Sequence, residues 1–127
     1  MRPTVVPGHE AAGVIEAIGP LVVGWQPGEH VVLAGGRPCR TCGTCRLGRF
    51  DECLDFQIMG FAYDGAWAQY VVVPSYTLAP APAGVPFEQA AILADAVSTP
   101  YAGLVDRGNL RPGESVGIWG VGGLGVH

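Results

Sequence analysis

The chain has 127 residues, of which 49% are hydrophobic and 14% are charged, so it can build a core and is not an intrinsically disordered protein. Its net charge of −4 argues against nucleic acid as the main partner, because nucleic-acid-binding domains usually carry a basic excess. All seven basic residues are arginine, which excludes Schiff-base chemistry and a Walker-type lysine within this stretch.

Short β-strands joined by turns are predicted for the first 80 residues, because β-branched and apolar runs alternate with glycine and proline. The 20 glycines and 11 prolines favour this organisation over a helical bundle. The predicted strands cover residues 11–18, 30–34, 66–73 and 76–79. Residues 35–55 hold all four cysteines and show little periodicity, so we expect a loop that needs something to order it.

A different pattern follows the Pro80-Ala81-Pro82 spacer. Residues 87–94 and 99–106 have helical spacing, and a proline is tolerated in the first turn of the second segment. Residues 115–119 form a predicted apolar strand that leads directly into a glycine-rich turn. Such a strand and turn open a βαβ unit. We therefore expect a fragment that is cut shortly after a second domain begins.

The four cysteines have the spacing C-x2-C-x2-C-x7-C and are Cys39, Cys42, Cys45 and Cys53. Two-residue gaps let neighbouring thiolates reach one ion, and four thiolates close the tetrahedral shell of zinc. Two disulfides and an iron–sulfur cluster are the alternatives. We favour structural zinc, because the loop has no other source of order. The arginines of this segment are expected either to offset the charge of the thiolates or to form a solvated face: Arg37, Arg40, Arg46 and Arg49.

Membrane and secretory signals are missing from the sequence. No apolar run approaches the roughly 20 residues of a membrane span. The N-terminus lacks the apolar core of a signal peptide. We therefore expect a cytoplasmic protein with no membrane partner.

Several motifs occur in a defined order along the chain. Gly8-His9-Glu10 comes first, followed by the predicted strands, the cysteine loop, the Asp64-Gly65 turn and a final G-x-G-G-x-G. The glycine motif alone is weak, but Gly-His-Glu and the cysteine spacing are specific in combination. In this order the motifs resemble a zinc-dependent alcohol dehydrogenase of the medium-chain dehydrogenase/reductase superfamily.

The resemblance implies a mostly β GroES-like barrel domain followed by the beginning of an α/β Rossmann domain. The catalytic, zinc-binding domain would cover residues 1–95 and be incomplete at its N-terminus. Residues 96–127 would supply the linking helix, the first strand and the glycine loop of a truncated nucleotide-binding domain. The full-length protein would be a homo-oligomer.

The same resemblance assigns roles to individual residues. The four cysteines match the structural zinc ligands, His9 matches a ligand of the catalytic zinc, and Glu10 matches a carboxylate beside that ion. Asp95 stands where many members have cysteine, and aspartate can ligate zinc through oxygen, as in the similar bacterial secondary alcohol dehydrogenases. The alternative is a helix-capping aspartate. The family's first catalytic ligand, an upstream cysteine, has no match, so we expect an incomplete catalytic zinc site.

The resemblance also implies a cofactor and a reaction. Thr99 matches a position near the nicotinamide of NAD or NADP. The glycine turn would approach the cofactor's pyrophosphate and consists of Gly120, Val121, Gly122, Gly123, Leu124 and Gly125. The reaction implied is the interconversion of a small-molecule alcohol and an aldehyde or ketone by hydride transfer.

Three other hypotheses stay open. The first is a zinc-free, quinone-oxidoreductase-like reductase of the same fold, favoured only by Asp95 in place of cysteine. The second is a 6-hydroxycyclohex-1-ene-1-carbonyl-CoA dehydrogenase-like enzyme, to which residues 95–101 are similar. The third is a non-enzymatic zinc-binding module, supported only by the arginines of the cysteine loop.

Overall fold

Residues 4–127 are described by a computed structural model, which contains two small antiparallel sheets. The strands are β1 (Ala11–Val14), β2 (His30–Leu33), β3 (Gly36–Arg37), β4 (Gln57–Ile58) and β5 (Leu78–Pro80). One sheet has the order β1-β2-β5, and the other pairs β3 with β4. The strands predicted over 11–18 and 30–34 are confirmed in shorter form. The strand predicted over 76–79 forms instead at Leu78–Pro80, after a 3-10 turn over Ser75–Thr77.

The helical segments are all short. The α-helices are α1 (Gly43–Arg46), α2 (Phe87–Ala90) and α3 (Ser98–Tyr101). Three 3-10 turns cover Phe50–Glu52, Ser75–Thr77 and Ala91–Ala94, and a π-helical segment covers Ala102–Arg107. The helical predictions for 87–94 and 99–106 are therefore confirmed, although each segment changes helix type after its first turn.

Two predicted strands do not form. Residues 66–73 and 115–119 are not strands, because neither segment forms a β-ladder with any other part of residues 4–127. Apolar side chains in both segments stay exposed, among them Val72 at 95% and Trp119 at 92%. The sheets described are consequently open and short, and no closed barrel or Rossmann strand is present within residues 4–127.

A small apolar core lies against the three-stranded sheet. Ile15, Val31 and Leu33 are buried together with Met59, which is fully buried. The helical segment 87–94 packs against β1 and β2. This packing brings the chain that follows Ala94 close to the two residues that precede β1. Among the described residues, no helix has the length and apolarity needed to cross a membrane.

Candidate functional site

The position of the Gly-His-Glu motif is fixed by a turn from the middle of the chain. The Gly65 N–H donates to the Val6 carbonyl at 2.7 Å, and the Ala66 N–H donates to the Gly8 carbonyl at 3.0 Å. Gly60 lies so close that a Cβ built on it would be 2.8 Å from the Gly8 nitrogen. The backbone just before His9 is therefore clamped from two sides.

His9 and Asp95 form a side-chain pair between the start of β1 and the helical region. His9 Nε2 lies 3.0 Å from Asp95 Oδ2, and the two side chains are 32% and 35% exposed. The Thr99 hydroxyl donates to Asp95 Oδ1. This hydrogen bond, with a smaller contribution from His9, lowers the pKa of Asp95 despite its partial burial. The lowered pKa extends the ionised state of the Asp95 carboxylate further into the acid range.

Glu10 is bound beside this pair. Its carboxylate accepts a hydrogen bond from the Ala96 N–H at 2.8 Å. The Asp95 side chain does not cap α3, which has no side-chain cap. Glu10 therefore holds the backbone next to Asp95, while the Asp95 carboxylate is directed at His9 and Thr99.

The His9–Asp95 pair offers two donor atoms of types that zinc accepts, an imidazole nitrogen and a carboxylate oxygen. A catalytic zinc usually has three protein ligands. Among residues 4–127, the only group of three or more metal-ligating side chains is the cysteine group. The pair therefore fits two of the three positions of a catalytic zinc site.

The four cysteine sulfurs converge on one point. All four Sγ atoms lie within 4.8 Å of one another, and those of Cys39 and Cys45 are 4.0 Å apart. Ligands bound at the usual zinc–sulfur distance would be separated by about 3.8 Å in a tetrahedron. All four cysteines are free thiols, so the two-disulfide alternative is not observed. The cluster fits a closed structural zinc site.

Hydrogen bonds and burial have opposite effects on the pKa values of Cys42 and Cys45. The Cys39 N–H donates to Cys53 Sγ at 3.1 Å, and the Cys42 N–H donates to Cys39 Sγ at 3.4 Å. The Thr44 hydroxyl, 3.1 Å from Cys42 Sγ, is the main cause that lowers the pKa of Cys42 to about 5. Burial raises the pKa of Cys45 to about 12. A cation at the centre would supply the charge needed to hold all four as thiolates.

The arginines near the cysteines do not bond to sulfur through their guanidinium groups. Arg37 donates to Gln57 and lies over the Tyr63 ring, 4.0 Å from its centroid. Arg49 pairs with Glu52. These two guanidinium groups therefore bind polar and aromatic partners and not the cysteine sulfurs.

A cavity of about 690 Å³ opens beside His9, Asp95 and Thr99. Most of its other walls come from the cysteine segment and the chain that follows it: Pro38, Arg40, Phe50, Asp51, Phe56, Ile58, Phe61 and Tyr76. The sequence does not predict these walls. Residues 35–55 are predicted only as a metal-binding loop, and the wall residues that follow them carry no site prediction. The close spacing of Phe50, Phe56 and Phe61 in the sequence is the available signal.

A second groove, of about 790 Å³, also has Asp95 in its lining. It is lined by Glu10, Asp95, Pro100 and several residues of the glycine turn, namely Gly120, Gly122, Gly123, Leu124 and Gly125. Val121 is 76% exposed and does not line the groove, and Thr99 lines the cavity instead. Asp95 is thus shared by the cavity and the groove, which meet at this residue.

Comparison with known proteins identifies the family. The alcohol dehydrogenase GroES-like domain matches residues 1–83. The chain belongs to this family. The resemblance drawn from Gly-His-Glu and the cysteine spacing is thereby confirmed.

Members of the alcohol dehydrogenase family align along almost the whole chain. L-threonine 3-dehydrogenase from Pyrococcus horikoshii is 36% identical over 129 residues, 99% of this chain and 35% of that protein. An NAD-dependent alcohol dehydrogenase structure is 38% identical, with a TM-score of 0.82 over 86% of this chain and 32% of its own. A cobalt- and zinc-bound alcohol dehydrogenase from Pyrobaculum aerophilum is 32% identical, with a TM-score of 0.85 over 96% of this chain and 36% of its own. The chain therefore spans about a third of the length of these relatives.

Proposed function

We propose that the protein containing this sequence is a zinc- and NAD(P)-dependent oxidoreductase that interconverts an alcohol and an aldehyde or ketone. The observation that carries the proposal is the His9–Asp95 pair, whose aspartate lines both the cavity and the glycine-lined groove. A hydride transfer requires substrate and dinucleotide to meet beside one site, and this arrangement provides such a meeting point.

The His9–Asp95 pair and the polar residues that contact it would each contribute to this reaction. A zinc ion at this pair would supply Lewis-acid polarisation of the substrate oxygen, and a bound nicotinamide would supply or accept the hydride. His9 and Asp95 would hold the zinc, and the Thr99 hydroxyl would orient the Asp95 carboxylate through its hydrogen bond. Glu10 positions the backbone at Ala96. The apolar side chains of the cavity would contact the carbon chain of the substrate.

The cysteine cluster and the glycine turn supply the two supporting parts of the proposal. Cys39, Cys42, Cys45 and Cys53 would hold a structural zinc that orders the segment forming the cavity wall. The glycine turn, residues 120–125, would bind the pyrophosphate of NAD or NADP. Gly125 packs against the Gly120 carbonyl, where a Cβ has no space.

The organisation of the whole protein is proposed on the same basis. Residues 1–95 would be the catalytic domain, and residues 96–127 the start of the nucleotide-binding domain. We further propose a cytoplasmic homo-oligomer that acts on small molecules and not on nucleic acid, in keeping with the net charge of −4. A zinc-free reductase is not favoured, because Asp95 contacts His9 and keeps two metal donors together.

Isotope transfer tests this function directly. The full-length protein is incubated with NAD or NADP and a panel of alcohols deuterated at the carbinol carbon. Mass spectrometry is expected to find the label in the reduced cofactor. His9→Ala should lower the rate by more than about 100-fold, since even loss of outer-sphere partners of a metal ligand costs 10- to 100-fold. His30→Ala is the matched control, because His30 packs on Phe87 outside the site. A reduced cofactor without label would overturn the proposal.

A further inference from the structure

One cationic side chain of the cavity lining has no carboxylate partner among the described residues. Four of the cavity's lining residues are histidine, arginine or aspartate, namely His9, Arg40, Asp51 and Asp95, and most of its other lining is apolar or aromatic. Asp51 is paired with Arg107, and Asp95 is paired with His9. Arg40 makes no ion pair with any carboxylate of residues 4–127. Arg40 is therefore the cationic side chain of the lining that has no ion-pair partner among residues 4–127, while the two carboxylates of the lining contact other side chains.

Arg40 is held beside the cavity by an aromatic ring. Its guanidinium lies 4.5 Å from the centroid of Tyr76, which also lines the cavity. Stacking on a ring fixes the plane of the guanidinium while leaving its N–H groups free to bind an anion. A planar guanidinium can bind a carboxylate or phosphate through two parallel hydrogen bonds.

We propose that Arg40 binds an anionic oxygen group of the substrate. The substrate class is then an alcohol whose carboxylate or phosphate is separated from the reacting carbon by an apolar stretch. The stretch would lie along Phe50, Phe56 and Phe61, which are each 44% exposed beside the cavity. This inference rests on the proposed function, because it takes the His9–Asp95 end of the cavity as the reacting end.

Charge-matched ligands test the inference. A series of straight-chain ω-hydroxy carboxylic acids is compared with the matching ω-hydroxy amides, which have similar shape and no charge. An ω-hydroxy alkyl phosphate series distinguishes the two anion types. The full-length protein is expected to bind and oxidise members of one anionic series at least about 10-fold better than the amides, because hydrogen bonds to charged groups are the stronger ones.

Substitution of Arg40 should remove this preference. Arg40→Gln is expected to raise KM for the anionic substrate about 10- to 100-fold while leaving KM for the amide nearly unchanged. Arg40→Lys should recover part of the preference. Arg46→Gln is the matched control, because Arg46 lies in the same segment but does not line the cavity. The ratio of the two KM values within one variant is independent of how much of that variant is folded.

The outcomes separate this inference from the proposed function. Turnover of acid, phosphate and amide with equal KM would overturn the role of Arg40 and leave the oxidoreductase function standing. Binding of the anionic ligand that depends on Arg40, measured by ligand-observed NMR without any turnover, would support the anion site and count against the oxidoreductase function. Loss of zinc in Arg40→Gln with an unchanged acid-to-amide ratio would mean that Arg40 only offsets the thiolate charge, and would overturn the inference.

Discussion

His9 and Asp95 are 86 residues apart in the chain, yet His9 Nε2 and Asp95 Oδ2 lie 3.0 Å from each other. The turn at residues 64–67 holds the His9 side of this contact, and the helical segment 87–94 carries the Asp95 side. The contact therefore depends on the packing of three separate parts of the chain. Substitutions that disturb the turn or the helical segment should therefore alter the His9–Asp95 contact before they unfold the rest of the chain.

Removing the Thr99 hydroxyl should raise the pKa of Asp95 in the metal-free protein. Thr99 is the largest cause of the lowered pKa, so Thr99→Val moves it toward the ordinary value. A lowered pKa in the folded state stabilises the fold above the unfolded-state pKa, and this stabilisation is lost as pH falls through the folded-state value. As pH falls through the acid range, the free energy of unfolding should therefore decrease less in Thr99→Val than in the wild type.

Carboxyl-carbon NMR titration and chemical denaturation across the acid range measure these two effects of Thr99→Val. Thr99→Ser is the control, because it keeps the hydroxyl and should keep the low pKa of Asp95. An Asp95 pKa that is identical in the valine and serine variants would contradict the assignment of the hydrogen bond.

Gly60 and Gly84 form a matched pair for testing the clamp on the Gly-His-Glu motif. Both have φ of +77°, but a Cβ on Gly84 meets nothing within 4 Å, whereas one on Gly60 meets the Gly8 backbone. Gly84→Ala should lower the free energy of unfolding only by the cost of a left-handed backbone conformation at alanine, about 1–2 kcal/mol. Gly60→Ala should cost clearly more, because backbone atoms must move.

Urea denaturation of the two alanine variants gives the free energies of unfolding for this comparison. NMR of the His9 side chain reports whether Gly60→Ala also disturbs the contact with Asp95. Equal losses of stability in the two variants would show that the motif is not clamped at Gly60.

The ion pair between Asp51 and Arg107 links the cysteine segment to the π-helical segment. Both side chains are more than 60% exposed, at 61% and 64%, so solvent screens the pair strongly. A double-mutant cycle with Asp51→Asn and Arg107→Gln should give a coupling energy below about 1 kcal/mol that falls further in high salt. A larger, salt-insensitive coupling would mean that the pair is buried in solution.

The parts of the site that are close in sequence could be predicted from it. The cysteine spacing predicts one convergent ligand set, because two-residue gaps leave the thiols of Cys39, Cys42 and Cys45 few other arrangements. The zinc itself stays a prediction. The Gly-His-Glu motif identifies His9 as a candidate site residue. The contact of His9 with Asp95 depends on tertiary packing, and only the family resemblance predicts that the two residues share a site.

The walls of the cavity and the strand pairing could not be predicted in this way. Tyr76 reaches the cavity through packing of a distant segment, so this residue carries no local signal. Residues 66–73 have the composition of a strand, but a strand also needs a neighbouring strand to which it is hydrogen-bonded. The local sequence pattern does not specify that strand pairing. The same reason explains the missing strand at 115–119.

The zinc content of the reduced, dialysed protein tests the cysteine site most directly. Elemental mass spectrometry of the wild type is compared with Cys39→Ala and with His9→Ala, and X-ray absorption reports the atoms bound to zinc. We expect Cys39→Ala to lose about one zinc per chain, and His9→Ala to retain a zinc surrounded by four sulfurs. Absence of zinc from the reduced wild-type protein, or a content that Cys39→Ala leaves unchanged, would contradict the structural zinc site.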